Sequence, residues 1–204
     1  MSPRPYRMQR RRQSADENRG RILVAARELL ASPRGAPRFS MEEVARKAGV
    51  ARMTVYYQFG SLRGLLEALL DSLASAGGMQ HLSEAFREPD AREGMDRFIA
   101  VFVRFWESDR LVIRALGAFT SLDPDFAAVL AQRSEWRRKG ARVLLKRLAK
   151  QTGRPVRKDM RDAEDLLVML TGFATYDALA RPKRGPDQVT ALLQRLARQA
   201  LAEG

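Results

Sequence analysis

The 204-residue sequence predicts an all-α chain, with an N-terminal three-helix helix-turn-helix domain followed by a larger all-helical domain. Three observations predict it. Apolar residues recur at three- and four-residue spacing along most of the chain, and no strand-like alternation of useful length interrupts them. Ser14 with Glu17 and Ser40 with Glu43 have the spacing of capping boxes, in which side-chain acceptors meet the free N–H groups of a helix start. Pro, Gly and charge cluster at residues 88–90, 151–155 and 181–186, dividing the pattern into about nine helices.

The elements follow in order. Residues 1–13 form a basic arm in which Arg4, Arg7, Arg10, Arg11 and Arg12 stand beside prolines with no acidic residue, a composition that predicts disorder in the absence of a polyanion. The Ser14–Glu17 box opens a first helix carrying RILVAARELLA, and residues 35–39 link it to the next. Ser40 caps a helix of about two turns whose stripe is Val44, Ala45 and Ala48, and Gly49 stands where the chain must leave it in a left-handed conformation. Val50 and Val55 carry the pattern into a second short helix, and the small Ala45 lets it cross closely over the first. Ser61 caps a fourth helix bearing Leu62, Leu65, Leu66, Leu69, Leu70 and Leu73, which ends before Gly77 and Gly78. Helices over DAREGMDRFIAVFVRFWES, residues 110–120, 124–150 and 159–180, and after Pro186 complete the chain. The expected domains are therefore the arm, a helix-turn-helix over 14–60, and a helical domain over 61–204.

A helix-turn-helix of this size is a reader of DNA, its second helix lying in the major groove. With Val55 inward and about 100° per residue, Ala51 and Phe59 flank the buried side. Met53 and Tyr57 lie opposite, bordered by Arg52, Thr54 and Tyr56. Arg52 suits a bidentate contact to guanine and Met53 a thymine methyl group, while the three hydroxyls suit phosphates or bases.

Composition fits a polyanionic partner. The formal net charge is +13, from 37 basic and 24 acidic residues. Basicity is not confined to the reading head, however, since residues 76–204 also carry 23 basic against 17 acidic side chains. Arg11 and Arg12 of the arm are candidates for phosphate or minor-groove contact. The chain has no cysteine, which excludes disulfides and thiol catalysis, and its one histidine, His81, has no companion ligand, so no metal is expected. No nucleophile–base pair, carboxylate dyad or phosphate-cradling glycine loop is visible, so neither an enzyme nor a cofactor is expected. The negative charge of Asp162, Glu164 and Asp165 reads as macrodipole complement at a helix start. No apolar stretch follows the basic arm as in a targeting signal, and no run is long enough to span a membrane, so a cytoplasmic location on the nucleoid is expected.

The segment AGVARMTVYYQFGSLRGLL resembles the signature of the TetR family of bacterial transcriptional regulators, and the likeness extends over roughly residues 14–73. The resemblance implies a repressor that binds a palindromic operator as a homodimer and releases it when a small apolar or amphipathic effector occupies the C-terminal domain. Two departures stand out. Gln58 replaces the family's usual histidine, and Leu62 stands where a lysine usually approaches phosphate, so that role is either lost here or taken over by Arg63. Gln58, Arg63 and the capping Ser40 complete the candidate DNA-contacting set. Large apolar residues of the second domain are candidates for an effector pocket: Phe102, Phe105, Trp106, Phe119, Trp136, Met169, Phe173 and Tyr176. The last two helices carry more apolar surface than one core needs. The resemblance assigns Leu166, Leu170, Val189, Leu193, Leu196 and Ala200 to a dimer interface. A DNA-organising or protein-regulated factor with the same reading head and no small-molecule pocket is the alternative.

Overall fold

The computed structural model describes residues 4–32, 39–153 and 160–202, without the side chains of residues 4–8, 10–12 and 202. Among the described residues there are eleven α-helices and no strand. They are α1 Arg4–Ala31, α2 Met41–Ala48, α3 Arg52–Phe59, α4 Leu62–Ala76, α5 Leu82–Arg87, α6 Ala91–Ser108, α7 Arg110–Phe119, α8 Pro124–Thr152, α9 Met160–Leu170, α10 Phe173–Leu179 and α11 Pro186–Ala202.

Three boundaries differ from the sequence expectation. Helix α1 begins at Arg4, so the Ser14–Glu17 box lies inside a helix and the segment expected to be disordered is helical from residue 4. Arg, Gln and Met are good helix formers, and Pro5 falls in the first turn, where its missing N–H costs no intrahelical bond. The side chains of Arg11 and Arg12, and the link before Phe39, lie outside the described residues. Helix α5 was not foreseen, because six residues are too few for a periodic signal.

The stretch expected as one helix over 159–180 is two. Gly172 takes an extended conformation (φ −79°, ψ 150°) that opens α10. Thr171 donates its hydroxyl to the Leu167 carbonyl at 2.7 Å. The Thr171 carbonyl, released from the helical ladder, accepts from Trp106 Nε1 at 2.9 Å. The break thus exchanges helical bonding for an anchor on α6.

The chain forms two compact units, one from Met1–Ser72 with Leu111–Phe126, the other from Leu73–Arg110 with Ala127–Gly204. In the first, Ile22, Ala26 and Leu30 of α1 share a core with Val44 and Ala45 of α2, Val55 of α3, Leu65, Leu66 and Leu69 of α4, and Val112 and Leu116 of α7. Phe39 meets Phe119 edge to face at 5.6 Å. The second unit is built around α6, whose Met95, Phe98, Ile99, Phe102 and Val103 pack with Leu144, Leu145 and Leu148 of α8, Leu167 of α9, and Val189 and Leu193 of α11.

Ion pairs pin this second core at its margins. Arg142 grips Glu164 through two bonds of 2.6 and 2.7 Å, Arg198 reaches Asp96 at 2.6 Å, and Arg110 reaches Asp177 at 2.6 Å. Glu164 is only 3% exposed. The expectation that its charge serves a helix start is therefore corrected: it is the buried half of an interhelical pair.

Candidate nucleic-acid interface

The reading helix is held in place by side chains that the sequence places far apart. Ser40 caps α2 by accepting from the Glu43 N–H at 3.2 Å. The return half of the capping box is replaced by an ion pair between the Glu43 carboxylate and Arg46. Gly49 closes α2 in the left-handed region (φ 64°, ψ 37°), and the Val50 N–H reaches back to the Ala45 carbonyl at 3.1 Å. Helix α3 then starts at Arg52, with Ala51 extended in front of it. Ala51 is exposed rather than on the buried flank, because the 100° rotation rule holds only for residues inside the helix.

Val55 is fully buried and fastens α3 to the core. Arg52, Met53 and Tyr57 are exposed, Tyr57 to 84%, with half-buried Thr54 and Tyr56 at the edges of the same arc. Arg52 is already organised. Its Nη1 pairs with Glu42 of α2 at 2.7 Å, its Nη2 donates to the Tyr56 hydroxyl at 3.2 Å, and its Cζ lies 5.3 Å from the centre of the Tyr56 ring. The bond to Tyr56 first, and the Glu42 charge second, raise the Arg52 pKa above its ordinary value, so the guanidinium is cationic at any working pH. The pair is more than half exposed on both sides, hence worth little in water and open to displacement by a stronger anion.

Three other candidates are turned elsewhere. Gln58 does not stand on the outward arc: its amide donates to the Ala15 carbonyl of α1 at 3.0 Å. Its own carbonyl accepts from Arg19 at 3.3 Å, while Arg19 lies over Phe59 at 4.6 Å. Gln58 is therefore a clamp between α3 and α1, occupied because α1 extends past Ala15. Arg63, expected at a phosphate, is paired with Asp125 in the first turn of α8. Ser40 is half-buried and spends its hydroxyl on the cap.

Sequence reasoning missed Glu42, ten residues and one turn away from the arginine it meets. It also missed the demand on Gly64. A Cβ at Gly64 would lie 2.1 Å from the Phe59 carbonyl oxygen, so the tight passage from α3 to α4 requires glycine there. Gly64 is followed by Leu65 and Leu66 of the core, and nothing in its immediate sequence announces a backbone three-dimensionally above it.

Residues 22–69, which include α2 and α3, match the family model of bacterial regulatory proteins of the tetR family. The N-terminal reading head is thus similar to that of the TetR family. It is 35% identical over 83 residues to the HTH-type transcriptional regulator TtgR of Pseudomonas putida, a match covering 41% of this chain and 38% of that protein. The chain thus spans well under half the length of the curated relatives it matches. Its fold is that of a TetR-family regulator structure from Rhodococcus sp., with a TM-score of 0.72 at 21% identity over 91% of this chain and 99% of that one. The TetR-family regulator PfmR of Thermus thermophilus gives 0.65 at 21% identity, over 89% and 97%.

Outside the TetR reading head, the residues expected to line a pocket divide. Phe102, Phe105 and Tyr176 are buried in the second unit with half-buried Trp106 and Phe173 beside them. Trp106 is the hub of this group, 4.5 Å from Phe105 and 5.5 Å from Phe173. Trp136 and Met169 are corrected: at 58% and 54% exposure they face outward. Phe119 is also corrected, because α7 packs in the first unit. The Tyr176 hydroxyl donates to Glu107, and burial first, then that carboxylate, push its pKa up.

Of the expected dimer residues, Leu170, Val189 and Leu193 are buried in the second unit's own core, since α9 and α11 pack against each other and α11 against α6. Leu196 remains exposed, and Leu166 and Ala200 half-exposed. Among the described residues no cluster of metal-ligating side chains occurs, and no helix is long and apolar enough to cross a membrane.

Proposed function

We propose that the chain is a sequence-specific DNA-binding transcriptional regulator. In this reading it binds a palindromic operator as a homodimer and releases it when a small apolar or amphipathic effector occupies the second unit. The observation that carries this reading is the outward arc of α3, on which Arg52, Met53 and Tyr57 stand exposed on a helix whose opposite side is anchored by Val55. A guanidinium, a thioether and a phenol on one short face supply donors and an apolar contact suited to base edges in the major groove. The match of residues 22–69 to the TetR family model supports the same assignment, a regulator rather than an enzyme.

Dimerisation is supported by the exposed Met169 and Leu196 on α9 and α11. A twofold dimer would carry two copies of α3 to half-sites about 34–36 Å apart. Effector release needs only differential affinity. A ligand that lowers operator affinity about a hundredfold must favour the DNA-incompetent state by about that factor.

The test is selection of bound sequences from random duplex DNA, followed by anisotropy titration of the selected operator. An inverted repeat with half-site centres one helical turn apart, bound at least about a thousandfold more tightly than scrambled DNA, is expected. Failure to enrich any sequence would overturn the assignment.

A further inference from the structure

Arg137 on α8 turns its guanidinium into the second unit, with Cζ 5.7 Å from the centre of the Phe102 ring. Its Nε is sealed from solvent and meets no hydrogen-bond acceptor. Only Nη2 is engaged, in a 3.3 Å bond to the hydroxyl of Ser134 one turn back. The neighbouring arginines have taken the carboxylates: Arg138 pairs with Asp165 and Arg142 with Glu164. Among the described residues no carboxylate forms an ion pair with Arg137, and the one charge bearing on it is the like charge of Arg138. Burial first, and Arg138 second, lower its pKa from the guanidinium value, yet a guanidinium does not give up its proton in a folded protein. Arg137 is half-buried, so its guanidinium is partly shielded from water with no counter-charge beside it. A bound anion would supply the missing charge.

The surroundings define that ligand. Phe102 meets Phe98 edge to face at 5.0 Å and stacks on Trp106 at 6.2 Å, an aromatic row along α6 beside the guanidinium. Gly140, three residues after Arg137, leaves room for the row: a Cβ there would stand 3.2 Å from the Phe98 ring. A planar fork of N–H donors matches a carboxylate in two parallel bonds, and aromatic walls match an apolar body. One guanidinium neutralises one charge.

We propose that Arg137 is the anion-reading group of the effector site, and that the effector is an amphiphilic monocarboxylate whose apolar body lies against Phe98, Phe102 and Trp106. This rests on the effector-responsive reading above and names the ligand class.

The test uses the full chain with four probes below their micellar concentrations: decanoate and 3-phenylpropanoate, and the corresponding alcohols. Calorimetry of the wild type is expected to give each carboxylate at least about tenfold tighter binding than its alcohol. In Arg137→Met that preference falls to near unity, and in Arg137→Lys it is intermediate, because an ammonium keeps the charge and loses the fork. Without ligand, Arg137→Met is expected to raise Tm by about 2–4 °C, as a partly shielded cation with no counter-charge is removed. Equal affinity for acid and alcohol, binding of none of the four, or a carboxylate preference that survives Arg137→Met would overturn the proposal. So would a lower Tm in Arg137→Met, which would make Arg137 a packing residue for Phe102. Operator anisotropy is read separately. An Arg137-dependent carboxylate preference with no change in operator affinity sinks the effector-responsive reading and leaves the anion site. Operator release by the alcohols at the same concentrations as the acids does the reverse.

Discussion

Tyr57 spends a large aromatic side chain on solvent, 84% exposed and one turn from the exposed Met53. Nothing in the folded monomer gains from it, so its removal separates binding from folding. Tyr57→Ala is expected to leave stability within about 0.5 kcal/mol and to cost about 1–3 kcal/mol of specific operator affinity, read by anisotropy against scrambled DNA. Glu42 acts in the opposite sense. It holds Arg52 by an exposed pair, and in the proposed complex its negative charge would oppose the phosphates. Glu42→Gln is expected to raise affinity for nonspecific duplex several-fold at low salt while narrowing the ratio of operator to scrambled DNA; unchanged values would remove Glu42 from the interface. Gly64 concerns the backbone alone. With the Phe59 oxygen 2.1 Å from any Cβ, Gly64→Ala is expected to lower unfolding stability by about 1–3 kcal/mol, measured by urea titration. At this scale the sequence revealed residue types and the direction of the outward arc of α3, but not partners. That Gln58 meets Ala15, or that Arg63 meets Asp125, depends on which distant segments the fold brings within a side chain's reach.

Helices α2 and α3 were legible because local signals agree there: a cap at Ser40, a left-handed glycine at 49 and an apolar stripe between them. The segment over 159–180 was not, since what divides it is the carbonyl of Thr171 answering Trp106 from another helix. The pair between α8 and α9 sets a pH dependence. The bond from Arg142 first, and its charge as well, hold the Glu164 carboxyl below the ordinary carboxylate value, against the opposing effect of burial. A depressed carboxylate contributes stability that is fully present above the unfolded-state value and is lost as pH falls through the lower folded one. Tm is therefore expected to fall as pH drops below about 4, and Arg142→Ala should flatten that fall while lowering Tm at neutral pH. Tyr176 acts at the other end. Its raised pKa keeps the folded state protonated where the unfolded chain ionises, so its contribution declines above about pH 10.

At the level of the molecule, the first unit takes Leu111–Phe126 from the middle of the chain, inserting α7 into a core whose other members lie before residue 73. This is why Phe119 was misassigned: chain order suggests the second domain, and only the contact with Phe39 says otherwise. The face on α9 and α11 is likewise a tertiary outcome, because burial of Leu170, Val189 and Leu193 in their own unit leaves Met169 and Leu196 outside. Met169→Glu with Leu196→Glu is expected to convert a dimer to a folded monomer by analytical ultracentrifugation and to abolish tight operator binding; a persistent dimer would move the interface elsewhere.

The sequence by itself determined the all-α class, the reading helix and its outward arc, because these follow from caps, glycines and a 3.6-residue period that act over a few residues. Only the tertiary structure decided which charges are paired, which apolar residues remain exposed and which arginine is left half-buried without an ion-pair partner. Those outcomes depend on how many carboxylates and apolar partners the packing brings within a few ångströms, and α8 shows the result: Arg138 and Arg142 found acids across the helix interface, while Arg137 was turned inward beside Phe102.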